Sequence, residues 1–238
     1  MRSRFALLLT TIGVMATASA ALAQDESFPK FSGNVAFVSE YRFRGVSMSN
    51  KDPAIQGALQ MTTKPGFFVA AWGSSIAEYA GATTEIDAYG GWSGPIGPLT
   101  TTVGIYSYLY PGGSNVDVVE IYGSVAGSYG PATLTVGVNW APDQSNLNRS
   151  SRYAYGLLTV AVPNTPFTLK GSIAHEQGAL VVDPTGRTTK KLDYMVGVDT
   201  TYKNLTLGLS FVGNDLPGKD ELNPNAKDRF LVTLTAAF

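Results

Sequence analysis

The sequence contains no cysteine and a single histidine, His175. Without thiols there is no disulfide framework, no cysteine-based zinc centre and no thiol nucleophile. Charge is scarce as well: Asp, Glu, Lys and Arg make up 15% of the 238 residues, against roughly a quarter in soluble domains. The net charge is −1, which leaves no electrostatic footprint for nucleic acid. Long apolar runs are missing too. Past Gln24 the longest is Phe-Phe-Val-Ala-Ala-Trp at 67–72, far short of the roughly 20 residues of a transmembrane helix. No HExxH, GxSxG or phosphate-binding loop pattern occurs, so no catalytic motif and no cofactor is indicated.

What is present begins with an export signal. Arg2 and Arg4 open the chain, an apolar stretch covers 5–14, and Ala21-Leu22-Ala23 forms a small-residue cleavage site before Gln24. Residues 1–23 are therefore expected to be a secretory signal peptide and 24–238 the mature protein. Its removal leaves 15 basic against 18 acidic residues, a net charge of −3. An exported chain without an apolar helix is either soluble or a β-barrel.

From Lys30 onward the pattern is period-two alternation, the mark of strands with two unlike faces. Twelve candidate strands cover 34–44, 53–63, 67–74, 85–92, 99–108, 116–129, 132–140, 152–162, 167–175, 192–202, 205–212 and 229–238. The clearest set Leu134, Val136, Val138 and Trp140 against Thr133, Thr135 and Asn139, and Leu205, Leu207, Leu209 and Phe211 against Thr206 and Ser210. The segments 67–74 and 152–162 are apolar on both sides, and their register stays open. The last stretch, 229–238, alternates Phe230, Val232, Leu234, Ala236 and Phe238 with Leu231, Thr233, Thr235 and Ala237.

Connections alternate strictly between two kinds. Short Pro/Gly/Asn turns sit at Lys64, Pro95, Gly130, Asn164 and Lys203; longer polar loops cover 46–52, 75–84, 111–115, 141–151, 176–191 and 213–227. An even strand number with short turns at one rim and long loops at the other describes an all-β transmembrane up-and-down antiparallel barrel of the outer membrane. Aromatic residues fit two interfacial girdles. Phe67, Trp92, Phe167, Tyr202 and Phe238 are expected outward at the periplasmic rim, and Tyr41, Phe43, Trp140, Tyr153, Phe211 and Phe230 outward at the other.

Two segments carry a family resemblance. Val38-Ser39-Glu40-Tyr41-Arg42-Phe43-Arg44-Gly45-Val46-Ser47, with Asp52-Pro53-Ala54-Ile55-Gln56-Gly57 after it, resembles the opening hairpin of the TorF-like (Gcw_chp-type) family of porin-like proteobacterial proteins. Thr84-Glu85-Ile86-Asp87-Ala88-Tyr89-Gly90-Gly91 is similar to that family's fourth strand. The resemblance implies a porin-like outer-membrane protein and no particular substrate. It also implies that Phe238 serves as the terminal signal read by the barrel-assembly machinery, with outer-membrane lipid and lipopolysaccharide as surroundings.

With the apolar faces turned to lipid, Glu40, Arg42, Arg44, Gln56, Gln60, Glu85, Asp87, Glu120, Lys170, Asp193 and Asp199 are expected in the lumen. Charges there are tolerable only beside water or each other. Two readings are open: a narrow water-filled pore passing small hydrophilic solutes or ions, or a network of paired side chains that plugs a barrel with a surface-binding or envelope role. Glu40, Arg42 and Arg44, spaced i, i+2, i+4 on one strand, are the expected constriction, with Arg42 able to bridge Glu40 and Glu85. Acidic excess on the wall favours cations. His175 could serve an embedded acyl hydrolase as general base, but its strand offers no outward Ser with a supporting acid. The polar loop 215–228 could hold a divalent ion or lipopolysaccharide, though without EF-hand spacing. The expected assembly is a monomer or a trimer.

Overall fold

The computed structural model describes residues 28–181, 183, 188–219 and 221–238. The proposed signal peptide, 1–23, lies outside the described residues. In chain order the strands are β1 (Lys30–Val38), β2 (Arg42–Phe43), β3 (Val46–Ser47), β4 (Ala54–Thr62), β5 (Phe67–Tyr79), β6 (Ala82–Ile96) and β7 (Leu99–Leu109). They continue with β8 (Val118–Tyr129), β9 (Ala132–Ala141), β10 (Ser151–Ala161), β11 (Phe167–Gly178), β12 (Lys190–Tyr202), β13 (Leu205–Asn214) and β14 (Arg229–Ala237). All but β2 and β3 form one closed barrel, each strand antiparallel to its neighbours in the chain and β14 returning to pair with β1. That makes twelve wall strands, the expected number.

The seam joins the two ends of the sequence. Asn34 lies opposite Ala237 and Val38 opposite Thr233, and the Gly33 and Phe238 amides each donate to the other's carbonyl. Closure leaves no free edge along the wall, so backbone polar groups there are satisfied without water.

Alternation sorts the side chains into two solvents. Ile55, Ile105, Ile173 and Val196 point outward and are 56–61% exposed, while Gln56, Glu85, Glu120 and Lys170 point inward and are buried. An apolar outer surface of this extent, running round the whole barrel, suits hydrocarbon and not water. The wall therefore spans a membrane.

Two glycines shape the wall where the family-like segment at 84–91 lies. Gly91 pairs with Gly104, and a Cβ on Gly91 would stand 2.0 Å from the Val103 carbonyl oxygen and 2.7 Å from the Gly104 Cα. Only a residue without a side chain permits that approach. The Tyr122 ring lies across Gly104, filling the room on the lumen side. Gly91→Val is therefore expected to cost about 1–3 kcal/mol or more through overpacking against backbone, measured by urea unfolding in vesicles.

Several boundaries differ from the sequence reading. The stretch 75–84 is not a polar loop: β5 and β6 run on as a hairpin whose turn uses positive φ at Ala80 (52°) and Gly81 (97°). Glu176 and Lys191 are likewise wall residues, because β11 extends to Gly178 and β12 begins at Lys190. The largest departure is in the first strand. It ends at Val38 instead of Arg44.

Candidate functional site

The chain leaves the wall at Ser39. The Ser39 amide donates to the Val232 carbonyl, and its hydroxyl accepts from the Val232 amide. One residue thus replaces the next rung of the ladder and releases the chain beyond it from the wall. Residues 40–49 then fold into the lumen, and Asn50, Asp52 and Pro53 stand exposed on the return to β4. At their centre Arg42–Phe43 and Val46–Ser47 form a two-stranded hairpin about Arg44 (φ 48°) and Gly45 (φ 83°). Positive φ at both central residues is what a type I′ turn requires.

This placement corrects three expectations. Glu40, Arg42 and Arg44 do not share a face of a wall strand, and Tyr41 and Phe43 are not part of the outer aromatic girdle. Tyr41 packs on Trp72 and Phe43 on the edge of Tyr108, both inside. Tyr153 also turns inward, 2% exposed, and donates to Asp193 Oδ1 at 3.0 Å. The other expected girdle members do face outward. Phe211 and Phe230 pack at 5.0 Å beside Tyr194, and Phe67, Phe167, Tyr202 and Phe238 stand exposed at the opposite rim.

Arg44 ties the hairpin across the barrel. Its Nη2 donates to both Glu120 oxygens at 2.7 and 2.8 Å, and its Nη1 donates to Glu176 Oε1 at 2.7 Å. The guanidinium also lies 4.3 Å from the Tyr153 ring centre. Lys191 donates to the Arg44 carbonyl at 2.8 Å and pairs with Glu176 Oε2, while Asp193 stands 3.7 Å away, beyond hydrogen-bond reach. Tyr108 and Asn139 complete the Glu120 shell at 3.0 and 2.9 Å. Every charge in this cluster is almost fully buried, and such groups persist only when paired and hydrogen-bonded.

The rest of the hairpin is fixed from the rim. Arg42 Nε donates to Glu40 Oε1 at 2.9 Å, and the Gly45 carbonyl accepts from Arg42 Nη1 and Asn214 Nδ2, both at 2.9 Å. Arg42 does not reach Glu85; the Tyr41 hydroxyl does, at 3.3 Å. Val46 packs on Val181, Leu216 and Ala226, so the stretches 213–219 and 221–228 cover the tip. In these stretches Asp215 accepts from the Leu192 amide, and Asp228 accepts from Lys219 at 2.6 Å and Tyr194 at 2.9 Å. Partial burial pushes the Asp228 carboxyl up, but the Lys219 and Tyr194 hydrogen bonds outweigh it and hold it below the usual carboxylate range. Among the described residues no group of three or more His, Asp or Glu is arranged to hold a metal.

The remaining inward residues divide between the two halves of the lumen. Glu85, Asp87 and Gln56 lie with the hairpin in the extracellular half, beside an aromatic core of Trp72, Tyr89, Tyr106 and Tyr108. Lys170 and Asp199 pair at 2.6 Å in the periplasmic half, where Gln60, Ser124, Thr159, Ser172 and Thr233 stay partly exposed. The periplasmic half thus mixes partly exposed polar side chains with buried ones such as Thr206 and Thr235, and the hairpin occupies the extracellular half. Sequence reasoning did not find Glu176, Lys191, Tyr153 or Asn214. Glu176 continues the inward parity of Lys170, and Lys191 that of Asp193, so a longer strand at each site was the available signal.

A closed twelve-stranded barrel, apolar outside, charged inside and entered by a hairpin from its own first loop, is a membrane barrel of the porin fold. The chain belongs to the Gcw_chp family, described as a bacterial protein of unknown function, whose model matches residues 22–238. A comparison with curated protein sequences finds no match. Among solved structures the KdgM porin is similar with a TM-score of 0.60 and 8% identity, covering 87% of this chain and 99% of that one. The NanC porin gives 0.58 and 9% identity over 88% and 99%. An outer membrane channel from Pseudomonas putida F1 gives 0.52 and 12% identity over 88% and 94%. At such identities the likeness is one of fold.

Proposed function

We propose that this protein is an outer-membrane channel for passive diffusion of small hydrophilic solutes or ions, narrowed by its inward hairpin. The observation that carries the reading is the division of the lumen. The extracellular half is narrowed by a segment that is not part of the wall, and polar side chains in the periplasmic half stay partly exposed. A barrel filled only for stability would have no need of partly exposed polar side chains on its inner wall. Glu40, Arg42, Arg44, Gln56, Glu85, Asp87 and Glu120, with Asp193, form the narrow zone in this reading, and Lys170 and Asp199 line the approach to it. Similarity of fold to channel proteins supports it, one of them described in complex with disordered oligogalacturonate.

Charge favours cations. Among the described residues the buried lumen groups are the acids Glu40, Glu85, Asp87, Glu120, Glu176, Asp193 and Asp199 against the bases Arg42, Arg44, Lys170 and Lys191, seven to four. A lumen net negative by three concentrates counter-cations and repels anions. The reading assigns the barrel no chemistry. His175 faces outward between Ala154 and Leu192 as cross-strand neighbours, neither of which can act as nucleophile or acid.

Outward aromatic residues at both rims support the outer membrane as its location, with lipid and lipopolysaccharide as its surroundings. Phe238 is proposed as the signal for the barrel-assembly machinery: its ring is 68% exposed at the seam, over Gly33. Deleting Phe238 is expected to lower the amount of folded protein in the membrane several-fold while leaving the conductance of each inserted barrel unchanged. Normal insertion of the shortened chain would remove that role. The channel itself is tested by reconstitution in planar bilayers, where discrete conductance steps are expected and their absence would overturn the reading.

A further inference from the structure

The twelve wall strands carry six Lys and Arg residues: Lys30, Arg152, Lys170, Lys190, Lys191 and Arg229. Lys170 and Lys191 point inward into ion pairs with Asp199 and Glu176. Lys30 stands at the periplasmic end over the Phe28 ring, and Arg229 opens β14 on the lumen-facing parity, opposite buried Val212. Only Arg152 and Lys190 are left on the outer face. Both are exposed, and both lie at the extracellular end.

The register brings them together. Arg152 on β10 is opposite Gln177 on β11, and Gln177 is opposite Lys190 on β12. Two strand spacings, about 10 Å, separate the two basic residues at the backbone. Their long side chains can therefore close on one group above Gln177, whose amide is a further donor. Neither forms an ion pair among the described residues. Asp215, the acid on the β13 flank, is held by the Leu192 amide.

The row also has a fixed depth. On its other side Arg152 pairs with Trp140, an outward ring 43% exposed, of the kind that settles between headgroups and hydrocarbon. One row nearer the middle of the wall come Val138, Ala154, His175 and Leu192, and beyond it Val136, Gly156 and Ile173. The basic row thus stands where the apolar band ends, at headgroup level.

We infer that Arg152, Gln177 and Lys190 bind the phosphate of a lipid A headgroup in the outer leaflet. Charge selects the ligand. Two unpaired cations flanking an amide donor suit a phosphate monoester, which a guanidinium grips through two N–H bonds. Depth selects the source. A phosphate carried by a lipid is anchored by acyl chains lying on the apolar wall below the row, whereas free phosphate gains nothing from that wall. Arg149, exposed on the connection into β10, adds positive charge beside the row. The inference rests on the proposed outer-membrane location and is independent of conduction.

Folded full-length protein in dodecyl maltoside micelles is titrated with purified bisphosphorylated lipid A, and bound lipid is counted by native mass spectrometry. One lipid A per barrel is expected to stay bound. Arg152→Gln/Lys190→Gln should weaken it by about tenfold or more, the loss of a charge-assisted contact, while Lys203→Gln at the opposite rim leaves it unchanged. Dephosphorylated lipid A should bind the wild-type chain as weakly as the double variant binds the phosphorylated form. That comparison uses the wild type alone, so the site stays open to refutation even if the variant does not fold. Equal binding of the two lipids, or unchanged binding by a folded double variant, would overturn the site. Phosphatidylglycerol retained as tightly as lipid A, or displacement of lipid A by millimolar inorganic phosphate, would overturn the assignment to lipid A. Recovery of the protein with the inner membrane on a sucrose gradient would overturn the location; an outer-membrane barrel that ignores lipid A would overturn the site alone.

Discussion

Arg44→Ala is expected to lower the unfolding free energy of the barrel by about 3–5 kcal/mol, the usual penalty for removing one partner of a buried charge pair. The size reflects what is left behind. Glu120 and Glu176 lose the group that neutralises both, and Lys191 alone remains against Glu176. Arg44→Lys should recover part of the loss, because an ammonium on a flexible stem cannot present two N–H faces to carboxylates on β8 and β11 at once. Urea unfolding in lipid vesicles measures both. A cost of about 0–1 kcal/mol, the range of exposed ion pairs, would mean that water already reaches Glu120 and Glu176 and that Arg44 does not hold the hairpin in place.

Excising the hairpin should act on conduction more than on the wall. Val38 pairs directly with Ala54, so replacing residues 41–48 with a short Gly-Ser connection removes no rung of the β1–β4 or β1–β14 ladders. It does remove the segment that joins the aromatic core at Tyr108 to the Glu120–Glu176 cluster and the roof at Leu216. Single-channel conductance is expected to rise several-fold, with cation preference retained through Glu85, Asp87 and Glu120 on the wall. A barrel this wide, emptied of its inner segment, lies between side-chain-filled barrels and open porins. Unchanged conductance would show that ions take a path the hairpin does not control.

The wall was legible in the sequence because each strand meets two different solvents. Period-two alternation separated Ile86 and Ala88 from Glu85 and Asp87, and Val119 and Ile121 from Glu120, and the Pro/Gly/Asn turns gave the strand number and one rim, although 75–84, read as a long loop, is strand and a two-residue turn. The hairpin was not legible, for a physical reason. Tyr41 and Phe43 keep the parity of Val35 and Phe37, interrupted only by Ser39, and an aromatic face turned to a lumen core reads the same as one turned to lipid. The signal that differs is Arg44-Gly45 between Phe43 and Val46, a two-residue turn that a continuous strand would not contain. Tyr153 was misplaced for a related reason. Leu157 and Leu158 leave β10 apolar on both sides, so only its pairing with Asp193 across the lumen fixes the direction. Glu176 and Lys191 were hidden by treating the polar stretch between them as loop from its first residue to its last.

The central claim is that the lumen conducts through a constriction formed by the hairpin. Full-length barrel, refolded without additives and inserted in planar bilayers under a salt gradient, tests it most directly. Small, discrete conductance steps with a reversal potential on the cation-selective side are the expected result. Folded, correctly inserted protein that gives no steps at any applied voltage would contradict it, and the hairpin would then be a plug.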